Sequence, residues 1–176
     1  MGPYISIWFN TRRTIKEILN TEIPFDNRIP ILLTCIASII PQLNNTENSI
    51  IYKIVDSLLV FGAIWVFLFY LYPYALYRIG RTSEGQEDFK TLRTIVSLST
   101  IPTIIELLFV IIAIFTGNSL DFENHHPLLS GIIALFSFNI LVIGTSMVQR
   151  FPLNQSMIYA GLPVFFIIVI YMIFSY

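Results

Sequence analysis

Two groups of side chains in this sequence are of a kind that does chemistry. In "SLSTIPTIIELLFV", residues 97–110, Glu106 stands in a mostly apolar run. On a helix, Ser99, Pro102, Thr103 and Glu106 fall at i, i+3, i+4 and i+7 and share one face. An acid on such a face holds a proton or a cation when it works, and acts as hydrogen-bonded glue when it does not. In "DFENHH", residues 121–126, two carboxylates and two histidines adjoin. These are metal-ligand types, but neighbouring histidines project in different directions, and metal sites need three or four convergent ligands with outer-shell support. A solvated loop without a metal is the expectation there. No phosphate loop, nucleophile elbow, zinc-protease helix or dinucleotide fingerprint occurs, so neither an enzyme nor a cofactor is expected.

The elements that must position these residues are membrane helices. The chain has 176 residues, 55% hydrophobic and only 12% charged, against about 25% charged in ordinary soluble domains. Its net charge of −1 gives no field for nucleic acid, and Cys35 has no partner for a disulfide. No cleaved signal peptide is expected, because the leading residues lack a continuous apolar core. Apolar runs at about 29–43, 50–77, 94–116, 128–149 and 157–175 predict transmembrane helices, no segment showing the alternation of a barrel strand. The first run is short enough to be re-entrant. Charge arbitrates: if all five cross, nine of the ten basic residues share one side and only Lys53 lies opposite, as the positive-inside rule requires. The expectation is an all-α integral membrane protein, one domain over residues 1–176, with its N-terminus in the cytoplasm and its C-terminus outside a bacterial cell membrane.

Two elements outside the spans carry charge. Residues 11–20 predict a short amphipathic interfacial helix, with Ile15, Ile18 and Leu19 on one face and Thr14 and Glu17 spaced as a capping box. Trp8, Arg12, Arg13 and Lys16 would meet the headgroup layer and its anionic lipid, or the helix would simply pack under the bundle. Residues 78–94 predict a turn at Gly80 and Gly85, then a helix start with Glu84 and Glu87 near its positive end.

"PYISIWFNTRRTIKEIL", five spans, and "GQEDFKTLRTIVSLSTIP" leading into the third together resemble the Yip domain family, the Ypt- or Rab-interacting membrane proteins and their bacterial relatives. The similarity covers essentially the whole chain, although many relatives carry a proline soon after the Trp, where this sequence has Asn10 and Thr11. The resemblance implies a five-span bundle with a cytoplasmic N-terminus. It does not carry over Rab binding, which goes with a longer N-terminal region in the eukaryotic members.

Counting 1.5 Å per residue puts Glu106 about 18 Å from the inner end of the third span, near the midplane, with Asn139 of the fourth span at a similar depth. The intramembrane polar site expected from sequence is therefore Ser99, Thr103, Glu106 and Asn139. Three readings stand: a neutral Glu106 bonded to Asn139, a proton or cation site in a small transporter, or a partner or lipid contact. The function expected is that of a non-enzymatic membrane protein working through protein partners or membrane organisation, as an accessory subunit of a membrane complex, with membrane lipids around it. The alternative is a small transporter or channel-like protein using Glu106.

Overall fold

The computed structural model describes residues 3–20, 25–43, 49–83, 85, 88–116 and 127–174, and every described element is helical. Two short helices lead, α1 (Pro3–Phe9) and α2 (Thr11–Asn20). Next come α3 (Arg28–Leu43) and α4 (Ile50–Val66), which runs through a π-helical turn, Phe67–Leu71, into α5 (Tyr72–Thr82). The third apolar run is split into α6 (Phe89–Ser99), one turn of 3-10 helix (Ile101–Thr103) and α7 (Ile104–Thr116). Two long helices, α8 (Pro127–Gln149) and α9 (Leu153–Phe174), follow.

Three stretches among the described residues are long and apolar enough to cross a membrane: Ile50–Thr82, Phe89–Phe109 and Leu128–Gln149. The first predicted run gives a shorter apolar helix, Arg28–Ile40. Burial orders the three long ones. The apolar window of Phe89–Phe109 is 56% buried, against 33% for Leu128–Gln149 and 11% for Ile50–Thr82. The stretch that carries the proline break is thus the central post of the bundle, and α4 stands at its rim with Ile50, Ile51, Leu58 and Leu59 exposed.

The main core gathers α5, α6, α8 and α9 around Leu76, Leu92, Ile95, Leu98, Ile140 and Ala160. Gly144 of α8 makes a close approach to α6: a Cβ there would run into the buried Ile95 side chain. A second cluster joins α3 to the rim through Ile31, Cys35 and Phe69, with Phe61 and Trp65 packed on it. Tyr72, at the start of α5, donates a buried 2.6 Å hydrogen bond to the Ala160 carbonyl and so ties the rim to α9.

The leader helix keeps its predicted bounds but has company. With α1 ahead of it, Thr14 is not a cap: its N–H donates to the Asn10 carbonyl at 2.9 Å, and its buried hydroxyl donates to Ser6 Oγ at 3.0 Å. The expected capping box is corrected accordingly, Glu17 pairing with Arg13 at 2.7 Å on the exposed face. Ile7 and Ile15 are fully buried in the main core, with Ile18 beside them. Arg12, Arg13 and Lys16 occupy the opposite, exposed face.

The start of α6 is capped by Asp88, whose Oδ1 accepts the Thr91 N–H at 2.8 Å. Glu84 and Glu87 lie outside the described residues. The Thr91 side chain and N–H hold the Asp88 carboxyl below its ordinary pKa. A carboxyl lowered on folding stabilises fully above its unfolded pKa and loses that contribution as pH falls through the folded one.

Two predictions follow from packing and capping. Gly144→Ala, which must displace the branched Ile95 side chain, is expected to cost about 1–3 kcal/mol. Gly131→Ala, with open space around it, is expected to be neutral or to stabilise the helix by up to about 1 kcal/mol. Thermal unfolding in mild detergent compares the two, and equal midpoints would contradict the close α6–α8 approach. Asp88→Ala is expected to cost about 1 kcal/mol at neutral pH. That difference from the wild type should close as pH falls below about 4. A difference independent of pH would mean that the carboxylate charge is not what caps α6.

Candidate functional site

The polar residues of the third run are placed by its break. Pro102 has no N–H to give to the preceding turn, so the α-helix stops at Ser99 and resumes at Ile104. Inside a bilayer the carbonyls released by such a break need partners. Backbone and hydroxyl donors share the turn: the Ser97 and Thr100 carbonyls accept the Thr100 and Thr103 N–H groups at 3.3 and 3.1 Å, while Ser99 Oγ donates to the Val96 carbonyl at 2.7 Å, Thr100 Oγ1 to that of Ser97 at 2.9 Å and Thr103 Oγ1 to that of Thr100 at 2.6 Å. The same interruption means that Ser99, Thr103 and Glu106 do not lie on one continuous α-helical face.

Neighbouring helices complete the seam. Thr34 of α3 lies 2.7 Å hydroxyl to hydroxyl from Thr103 and 2.9 Å from the Pro30 carbonyl; with the Thr103 hydrogen on Thr100, the single Thr34 hydrogen serves one of these two acceptors at a time. Ser97 Oγ donates to the Asn27 carbonyl at 2.7 Å, and Asn27 Nδ2 donates to Thr94 Oγ1 at 3.1 Å. Glu106, half-buried on α7, accepts from Ser130 Oγ of α8 at 3.5 Å, the long limit of such a bond.

Asn139 does not join this group. It is exposed on α8, nine residues beyond Ser130 and therefore about 13 Å further along the helix. Equal depth for the two residues holds only for straight, parallel helices, and the third run is interrupted at Pro102. Glu106 instead stands opposite the fourth residue of a 23-residue helix, close to one end of α8. Residues 121–126 lie outside the described residues, and no cluster of three metal-ligand types occurs among those described.

The opposite end of α8 holds polar groups that the sequence did not single out. Gln149 is 2% exposed, and neither side-chain atom has a hydrogen-bond partner among the described residues. Its amide sits where Cβ atoms on Gly80 and Gly85 would overlap it, so the two glycines make its slot. Those glycines are legible in the sequence as turn markers, but nothing there points to the glutamine that they accommodate. Arg150 ends the helix with φ 60°, a left-handed conformation that costs a residue bearing a Cβ about 1–2 kcal/mol. A further cation, Arg93, lies 4.4 Å from the Phe69 ring centre and 5.9 Å from that of Phe89. Aromatic faces, one of them on the π-helical turn, thus receive the charge of a residue four positions into α6.

The interfacial set divides. Trp8 packs against Phe136 of α8 with ring centres 5.2 Å apart. Lys16, Leu19 and Asn20 line a groove with Met147, Val148 and Arg150. These two contacts lie eleven residues apart on α8, about 16 Å, so the leader lies along α8 between them.

For the hydroxyl seam, a double-mutant cycle of Thr34→Val and Thr103→Val is expected to show a coupling of about 0.6 kcal/mol, typical of an interhelical hydrogen bond in a membrane protein. Additive losses would show that the two threonines stabilise separately.

A family model described as the Yip1 domain matches residues 5–174, nearly the whole chain. No curated protein and no solved structure shows significant similarity to it.

Proposed function

From the premise that this chain belongs to the Yip1 domain family, we propose that it is a non-enzymatic membrane protein acting through protein partners or membrane organisation, as an accessory subunit of a membrane complex. The observation that carries this reading is the hydroxyl seam. Ser99, Thr100 and Thr103 spend their hydrogens on carbonyls of their own run, and Thr34 closes on Thr103. Polar atoms committed in this way suit a packed support better than a path that must hydrate an ion.

In this reading α3, α4–α5, α6–α7, α8 and α9 all cross the cell membrane, the N-terminus is cytoplasmic and the C-terminus is outside. The nine-to-one distribution of basic residues supports that orientation. So does the groove shared by Lys16 and Arg150, which the same count assigns to one side. The exposed apolar rim of α4 is the face offered to lipid or to another membrane protein.

A second reading keeps Glu106 as a proton or cation site, since a half-buried carboxyl between α7 and α8 is the arrangement that such a site needs. One pair of experiments separates the two. Photocrosslinkers at Leu58 and Leu59 on the rim are expected to capture the same membrane protein reproducibly, and Glu106→Gln in reconstituted vesicles is expected to leave proton and monovalent-cation flux unchanged. Failure to recover any reproducible partner, together with a flux abolished by Glu106→Gln, would replace the first reading by the second.

A further inference from the structure

The groove at the Gln149 end of α8 is bounded by three elements: the end of α2, the start of α6 and the turn after α8. Its volume is about 490 Å³. Lys16 and Arg150 bring two positive charges to it, Asn20 and Thr91 add polar groups, and Leu19 and Met147 give it apolar wall. Among the described residues no carboxylate lines it. Asp88, three residues before Thr91, lines a separate hollow with Tyr74, Tyr77 and Lys90, and Glu17 on α2 is taken by Arg13.

Charge and wall together define the occupant. Two cations with hydrogen-bonding neighbours suit a phosphate monoanion, and apolar side chains beside them suit the first carbons of an acyl chain rather than water. Arg150 bears on this in another way. It takes a left-handed backbone, which glycine adopts without strain, and lines the groove as an arginine.

We propose that this groove is a binding site for the head group of an anionic phospholipid, with the phosphate between Lys16 and Arg150 and the glycerol end of the acyl chains against Leu19 and Met147. In the orientation given above it opens to the cytoplasmic leaflet, where anionic lipid is attracted to basic residues. The site rests on the charge and shape of the groove and is independent of the partner reading.

The test uses the full chain in mild non-ionic detergent, titrated with phosphatidylglycerol, with phosphatidylcholine of the same acyl chains, and with inorganic phosphate. Bound lipid is counted by native mass spectrometry, and thermal midpoints are read in parallel. Phosphatidylglycerol is expected to bind and raise the midpoint, whereas phosphatidylcholine and inorganic phosphate leave it unchanged. Lys16→Gln and Arg150→Gly should each weaken that binding about fivefold, and the pair about 30-fold. Arg150→Gly removes the cation while relieving the backbone, so its loss of binding is not a loss of fold. Arg12→Gln, on the same exposed helix face but outside the groove, should change nothing.

Equal binding of the two lipids would overturn the proposal, as would binding that survives in the double variant. A response to inorganic phosphate alone would make this a free-anion site. A loss in Arg12→Gln as large as in Lys16→Gln would reduce it to diffuse surface charge. Loss of lipid binding with capture at Leu58 and Leu59 intact is the result expected if both the site and the partner reading hold. Capture intact without any lipid binding by the wild type would remove the site alone.

Discussion

Backbone groups inside a bilayer have no water to turn to, and that constraint governs the centre of this protein. Its most buried crossing helix is also the one that is broken, at Thr100–Thr103. Around the break the Thr100 and Thr103 N–H groups turn to the Ser97 and Thr100 carbonyls, and serine and threonine hydroxyls add bonds that each reach back three residues. The 3-10 turn also breaks the helical phase between Ser99 and Glu106, and on α7 Glu106 meets Ser130 of α8.

Around that post the molecule is assembled in two clusters. On one side the leader, α5, α6, α8 and α9 share an aliphatic core with a glycine contact at Gly144. On the other, α3 meets α4 through Ile31, Cys35 and an aromatic column in which Phe61, Trp65 and Phe69 stack at ring spacings of 6.3 and 5.3 Å. Arg93 lies over the Phe69 end of that column. The column needs i and i+4 on one face, and the π-helical turn that begins at Phe67 sets the phase of the residues following it.

Much of the helical layout was legible before any coordinates. Apolar runs and the bounds of residues 11–20 came from periodicity and composition, which respond to burial and to lipid in the same way. The crossing count is another matter: among the described residues three helices satisfy length and apolarity, and Arg28–Ile40 is short. Site geometry was less legible. Ser99, Thr103 and Glu106 were found by type, yet their partners were not, because Thr34 and Ser130 look like ordinary hydroxyls in apolar helices. Helical phase failed across Pro102, where the residue count per turn changes. The leader was read as amphipathic from its pattern, but a pattern alone does not say whether its apolar face meets lipid or protein, and Ile7 and Ile15 meet protein.

The continuous rod from Ile50 to Thr82 has 33 residues and is therefore about 50 Å long, against a hydrocarbon layer of about 30 Å. It cannot stand upright with its whole length in oil, so it leans or projects, and the choice varies with the bilayer. A thicker membrane draws more of the Tyr70–Tyr77 segment into hydrocarbon; a thinner one leaves it in the headgroups, with Arg81 resting on the Tyr77 hydroxyl at 2.9 Å. Because Tyr72 is bonded to α9, any such tilt is transmitted across the bundle, and bilayer thickness enters as a mechanical load on the fold.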